Sequence, residues 1–182
     1  RPATPRSPPP RNPRIGLMEF DATSADRLKI REIPPVFGEL LREIPTAGNS
    51  DCPKVAARFF PSPTSDQAEE TLCEDWKAFV EPGLHEAFSD ARQVVAADLR
   101  GMTGEDGLFA LTIPRRHVMA WIHALNQARL ALVAHHELAM DESASWPPEV
   151  IANQDDWLRL QMGFYERILG WLIELVEPPS AE

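Results

Sequence analysis

The chain has 182 residues, of which 43% are hydrophobic and 25% are charged. This length and composition predict a single globular domain that folds without disulfide or metal cross-links. The net charge of −10 argues against nucleic acids and anionic membrane surfaces as partners, because both attract proteins with a basic footprint.

Residues 1–17 differ from the rest of the chain in composition. They contain four arginines and no acidic residue, and six of the 18 prolines fall within the first 14 positions. Such a sequence cannot bury a core. We therefore expect a disordered Pro/Arg-rich tail over residues 1–17 and a single helical domain over residues 18–182. The first methionine is Met18, and one hypothesis is that the natural chain begins there.

Two short segments have the pattern of β-strands. Residues 28–33 (L-K-I-R-E-I) alternate apolar and charged side chains, and residues 108–113 (L-F-A-L-T-I) are mostly apolar. Each segment is followed by a proline, Pro34 or Pro114, that can open a helix. This parallel predicts that the two strands are neighbours. The expected fold is mostly α, a helical bundle with a small two-stranded β element.

Helical periodicity covers most of the remaining chain. An apolar stripe runs through residues 65–80, and Pro82 then opens a second helix that we expect to end at Gly101 in a left-handed conformation. Further helices are expected over about residues 115–140 and 155–176. The last helix is apolar on nearly all sides, which is typical of central packing or of an oligomer seam. The apolar stripe within residues 65–80 consists of Ala68, Leu72, Trp76, Phe79 and Val80.

The run W-I-H-A-L-N-Q-A-R-L-A-L-V-A-H-H (residues 121–136) is apolar, yet it contains Asn126 and Arg129 on one predicted helix face. A buried guanidinium needs a partner, and Asp98, within the apolar sequence A-A-D-L, is the expected one. Two interpretations stay open. Arg129 and Asp98 form a structural pair with Asn126 satisfying backbone groups, or the cluster lines a pocket for an anionic ligand.

Arg115, Arg116 and His117 form a small basic cluster in the predicted domain. They lie at a helix start, where the helix dipole disfavours cations. The cluster is therefore a candidate contact patch for an acidic partner or ligand. The alternative is that it pairs with the acidic residues of the predicted turn at residues 103–107.

The other motifs of the chain predict no chemistry. Metal-binding H-E-x-x-H, the G-x-S-x-G nucleophile elbow and a phosphate-binding glycine loop do not occur. Cys52 and Cys73 lack C-x-x-C spacing; a disulfide between them stays open, although two cysteines in this length are typical of the cytosol. We expect no catalytic residue, no metal and no cofactor. Without an apolar run of membrane-spanning length or a signal peptide, the expected location is cytoplasmic.

Four motifs occur in a characteristic order: R-F-F-P at residues 58–61, W-x-x-x-V-x-P-x-L at 76–84, D-L at 98–99 and W-x-x-x-L-N-x-x-R-L-x-L at 121–132. In this combination the chain resembles the bacterial domain-of-unknown-function family 2017 over about residues 28–176. The resemblance implies no catalytic residues. It does imply a link to regulated proteolysis, because some relatives are encoded beside the Clp protease adaptor.

The leading functional hypothesis is a non-enzymatic protein-interaction or adaptor-like module, with a protein partner or a second copy of the chain as its binding partner. The alternative is a small-ligand-binding protein or enzyme whose pocket is lined by Arg129 and Asn126. A homodimer through the last helix is compatible with both hypotheses.

Overall fold

The computed structural model describes residues 14–15, 18–49, 52–66, 69–136, 146–147 and 151–176. Within these ranges the chain is mostly helical, with one antiparallel sheet. The elements in chain order are β1 (Arg14–Ile15), β2 (Met18–Asp21), β3 (Arg27–Ile33), α1 (Pro35–Ala47), α2 (Pro53–Phe59), α3 (Glu70–Asp75), a π-helical turn (Trp76–Val80), α4 (Glu81–Arg100), β4 (Thr103–Glu105), β5 (Leu108–Pro114), a 3₁₀ turn (Arg115–His117), α5 (Val118–His136) and α6 (Gln154–Val176).

The strands form a single sheet in the order β1-β2-β3-β5-β4, in which every neighbouring pair is antiparallel. Both strands expected from the sequence are present, and they are neighbours, with Ile30 of β3 opposite Leu111 of β5. The sheet is nevertheless larger than the expected two-stranded element. Strands β2 and β4 extend the sheet on either side, and the two-residue β1 adds an edge.

Strand β4 belongs to a tight hairpin. Glu105 pairs with Leu108, and the two residues between them, Asp106 and Gly107, have φ angles of 50° and 80°. Two consecutive positive φ angles define the turn that matches the twist of an antiparallel pair, and Asp-Gly is a preferred sequence for it. The segment expected only as a turn at residues 103–107 therefore contains a strand.

One face of the sheet is buried. Along β3 the side chains of Leu28, Ile30 and Ile33 are inside, whereas Arg27 and Lys29 are exposed, as the alternating sequence predicts. The buried face packs on α1, the C-terminal half of α4, α5 and α6. We call the resulting hydrophobic cluster the main core.

Helix α6 lies at the centre of the main core. The ring of Trp171 meets Phe20 of the sheet edge-on, with ring centroids 4.8 Å apart. On another side of the helix, the Tyr165 hydroxyl is buried and donates a hydrogen bond of 2.8 Å to the Leu40 carbonyl of α1. Burial raises the pKa of this tyrosine far above its ordinary range. Contacts within the chain thus occupy the apolar sides of α6.

The helices expected on either side of Pro82 are joined into one run. Proline has no N–H to bond the carbonyl of Ala78, and its ring crowds that carbonyl. The π-helical turn just before it widens the helix, and the Glu81 N–H bonds the carbonyl of Trp76, five residues back. The expected break is therefore absent. Helix α4 ends just before Gly101 as expected, but the φ of −84° at Gly101 shows that the expected left-handed conformation is wrong.

Other expectations fall partly outside the described residues. Positions 137–140 of the expected long helix lie outside them, as do residues 1–13 and 16–17 of the expected tail; Arg14 and Ile15 pair with β2. Among the helices described here, none combines the length and the apolar composition needed to cross a bilayer.

Candidate functional site

The polar cluster expected from the sequence is not assembled. Asn126 is exposed on α5, and Arg129 is only partly buried. The Nη2 atom of Arg129 donates to Oε1 of Glu166 on α6 at 2.8 Å, with both side chains partly accessible to solvent. Asp98 has different partners. The expected Arg129–Asp98 pair is therefore not formed.

Asp98 instead organises a polar site between α4 and α5. Its side chain is only 8% exposed, and its carboxylate accepts hydrogen bonds from His117 Nδ1 at 3.0 Å and from Trp121 Nε1 at 2.9 Å. The Nε of Arg116 can only donate and lies 3.3 Å from His117 Nε2, so Nδ1 of His117 carries the ring proton and donates it to Asp98. The spacing of His117 and Trp121, four residues apart at a helix start, was a usable signal, because such residues share a face.

The three residues of the expected basic patch have different partners and do not form one charged surface. The guanidinium of Arg115 is held by backbone carbonyls, with Nη2 at 2.6 Å from the Ala22 oxygen and Nε at 2.9 Å from the Ser24 oxygen. His117 turns toward Asp98, and Arg116 Nε donates to His117 Nε2 at 3.3 Å. Only Arg116 of the three is exposed. Arg115 therefore anchors the loop after β2 rather than presenting a free charge.

The buried amide of α5 is Gln127, which was not among the predicted site residues. It is 2% exposed, and its Oε1 accepts a hydrogen bond of 2.6 Å from Arg92 Nη1 of α4. The same nitrogen donates to the carbonyl of Gly48 after α1 at 3.2 Å. Burial lowers the pKa of Arg92 below its ordinary value. The signal was the position of Gln127 between Ala124 and Ala131, which share its helix face.

Gly48 is required for this close approach. A Cβ on Gly48 would lie 3.0 Å from the Cβ of Gln127 and 3.3 Å from Cδ of Arg92. Both distances are tighter than ordinary van der Waals contact. The absence of a side chain at Gly48 thus lets α1, α4 and α5 meet around the Arg92–Gln127 hydrogen bond.

A second feature lies on the helical run 70–90, which we call the exposed segment. No side chain in it is buried, and α4 first buries a residue at Ala91. Phe79 is 80% exposed, Leu72 49% and Val80 38%. These residues belong to the apolar stripe that helical periodicity predicts, so among the described residues this apolar face stays largely exposed.

The exposed segment is also acidic. It contains six acidic residues and one lysine. The indole N–H of Trp76, in the π-helical turn, is buried and has no hydrogen-bond partner among the described residues.

Cys73 is a free thiol, in contact with the Ser62 hydroxyl at 3.1 Å. Within the described ranges, no group of three or more histidines, cysteines and acids is placed to hold a metal ion.

A model of one protein family matches residues 17–177, and that family is described as a domain of unknown function, DUF2017. Neither the curated proteins nor the solved structures contain a significant match to the chain.

Proposed function

We propose, from the premise that this chain belongs to the DUF2017 family, that it is a protein-interaction, adaptor-like module rather than an enzyme. The proposed docking surface is the apolar stripe of the exposed segment. The observation that carries the proposal is the 80% exposure of Phe79 within a stripe of regular helical periodicity. An isolated exposed aromatic is ordinary, whereas an apolar face without a covering element is typical of interaction sites.

The local structure around Phe79 supports the same proposal. A π-helical turn has poorer geometry than an α-helix and occurs often at functional sites. Here it lies between Leu72 and Pro82 and carries Phe79 itself. The indole N–H of Trp76 in this turn also lacks an acceptor in the described part of the chain. Two unfavourable features therefore coincide with the exposed apolar stripe.

The charge of the segment defines the partner. Carboxylates surround the stripe, at Glu70, Glu74, Asp75 and Glu86 among others, and all four are exposed. A partner that buries Phe79 must bring basic groups to these acids, since like charges at an interface rim oppose association. We therefore propose a protein partner with an apolar socket rimmed by lysine and arginine.

The proposal includes a role near Clp-type regulated proteolysis. Its support is the family resemblance, through relatives encoded beside the Clp protease adaptor. An adaptor needs a surface that binds one component while the remaining body stays folded, and an exposed helical segment beside a closed core meets that need.

The test is a capture experiment with three versions of the full chain as bait in a lysate of the native organism. The versions are the natural sequence, Phe79→Ala and Met119→Ala. Met119 is the matched control, because it is 51% exposed but lies on α5 outside the exposed segment. We expect one protein to be retained stoichiometrically by the natural chain and the control, and its retention to fall about tenfold or more with Phe79→Ala.

Equal retention by all three baits would contradict the proposed surface, and so would recovery of nothing above background. Recovery of the chain itself as the only Phe79-dependent protein would replace the foreign partner with a second copy. Clp components among the Phe79-dependent proteins would support the link to proteolysis. A different stoichiometric partner would keep the interaction function and remove that link.

A further inference from the structure

Arg92 differs from the other arginines whose contacts are described above. Arg129 pairs with Glu166, and Arg115 is held through two of its nitrogens. The guanidinium of Arg92 is held by two neutral oxygens, both on Nη1. No carboxylate among the described residues pairs with it, although the chain carries 28 acidic residues against 18 basic ones. A partly buried cation without an anion is costly to fold, so its retention needs a reason.

The hydrogen bonds leave one edge of the guanidinium unused. Arginine has five N–H groups in a planar fork, and Nε and Nη2 of Arg92 make no hydrogen bond within the described part of the chain, nor are they buried. Gln127 Oε1 and the Gly48 carbonyl fix Nη1 from the opposite side. The unused edge is therefore held in position by contacts that do not neutralise its charge.

Gln127 adds a second unused donor. Its Oε1 is occupied by Arg92, which fixes the orientation of the amide, because the arginine can only donate. The Nε2 group on the other side is buried and has no acceptor among the described residues. A buried donor without an acceptor loses its hydration without a compensating hydrogen bond. A buried amide donor and an open guanidinium edge thus belong to one hydrogen-bonded unit.

We propose that Arg92 and Gln127 form a binding site for a carboxylate. The Nε–Nη2 edge of Arg92 receives the two carboxylate oxygens side by side, the geometry that a guanidinium favours. Gln127 positions the fork, because its Oε1 holds Nη1 on the side away from this edge. A monoanion is favoured over a phosphate dianion, because the net charge of −10 repels a second negative charge more strongly.

This site replaces the Arg/Asn-lined pocket expected from the sequence at Arg129 and Asn126. The chemistry is the same, a guanidinium next to a side-chain amide, but the arginine comes from α4 and the amide from the buried side of α5. Arg92 also contributes a contact to the carbonyl that follows α1. That contact uses Nη1 alone, so it leaves the proposed carboxylate edge unaffected.

The test is a titration of the ¹⁵N-labelled full chain, followed through the Nε–Hε resonances of its arginines. The Arg92 resonance is assigned by its loss in Arg92→Lys. Sodium acetate is compared with sodium chloride at matched ionic strength, and the exposed Arg100 serves as an internal control. We expect a saturable acetate-dependent shift at Arg92 that chloride does not produce, and no saturable shift at Arg100. In Gln127→Leu the acetate affinity should fall about tenfold.

Thermal melts of both variants are run alongside, so that a loss of binding is read only from a folded chain. If Gln127→Leu does not fold, the acetate and chloride arms on the natural chain decide. Equal shifts with both salts overturn the proposal, as does saturation by inorganic phosphate with none by acetate. Unchanged acetate affinity in Gln127→Leu overturns the role of the amide.

The carboxylate can come from a free small molecule or from a protein side chain. Succinate and a terminally blocked Gly-Glu-Gly peptide present the same group in these two forms. Tighter binding of succinate would assign a free small molecule as the source, and tighter binding of the peptide would assign a protein side chain. Either result supports the site. Because this site lies outside the exposed segment, its failure would leave the proposed docking through Phe79 unaffected.

Discussion

The main core and the exposed segment carry apolar patterns of the same kind, but only one of them is covered. In the main core, Trp121 and Phe20 are almost completely buried. In the exposed segment, Phe79 and Leu72 recur with helical periodicity and meet solvent. The comparison shows that periodicity determines which face of a helix is apolar and leaves open whether the chain itself supplies the cover.

The largest expected difference between the two regions comes from truncating one aromatic residue in each. Trp121 is fully buried and its indole donates to Asp98, so Trp121→Ala should lower the free energy of unfolding by about 3–5 kcal/mol. Phe79→Ala should change it by less than about 0.5 kcal/mol, because the ring is 80% exposed. Denaturant unfolding of both variants measures the two values.

A loss of more than about 2 kcal/mol in Phe79→Ala would show that the stripe is part of the folding core. The separation between a covered and an uncovered region would then be wrong, and the proposed docking surface with it. A small loss in Trp121→Ala would mean that the α4–α5 interface can collapse into the space left by the indole.

Strand and helix positions follow from the sequence where local signals agree. Residues 28–33 alternate along a half-buried strand, and proline opens the helix that follows, so both elements were predictable. Strand β4 is three residues long and fully exposed, so it has no hydrophobic pattern. Only the Asp106–Gly107 turn indicated it. Pro82 indicated a helix start, but the π-helical turn before it keeps the helix continuous.

The candidate site was less predictable, because it depends on which faces meet. Residues 126, 127 and 129 are all polar within one apolar helix, and periodicity alone does not say which of them points inward. Tertiary packing buries Gln127 and leaves Asn126 outside. Asp98 was predicted as the partner of Arg129, which pairs with Glu166 instead. Its partners, His117 and Trp121, depend on the rotation of α5 against α4.

Two aspartates on α4 allow a second comparison, in which an intermediate effect is expected for Asp98 and almost none for Asp90. Asp98→Ala should lower the free energy of unfolding by about 1–3 kcal/mol, because it leaves Trp121 Nε1 buried without an acceptor. Asp90, on the same helix within the exposed segment, is exposed, so Asp90→Ala should change it by less than about 0.5 kcal/mol. Thermal or denaturant unfolding compares them directly. Equal effects would contradict the structural role of the Asp98 cluster.

The smallest expected changes in the free energy of unfolding come from two glycine-to-alanine substitutions, which test whether the main core and the exposed segment unfold together. Gly83 of α4 and Gly170 of α6 are both helical and exposed, and a Cβ on either would meet nothing within 4 Å. Alanine should therefore stabilise either helix by about 0.5–1 kcal/mol. For Gly170→Ala this gain should appear in the global free energy of unfolding, since α6 is central to the main core.

For Gly83→Ala the global value should stay unchanged, because a segment that buries no side chain can open without unfolding the core. The gain should appear instead as about two- to fivefold slower amide hydrogen exchange within residues 76–84. Hydrogen exchange and denaturant unfolding on the same two variants separate the cases. If Gly83→Ala raises the global value as much as Gly170→Ala does, the exposed segment folds cooperatively with the core. A partner would then bind a surface held in place by the whole fold, and binding to Phe79 would stabilise the main core as well.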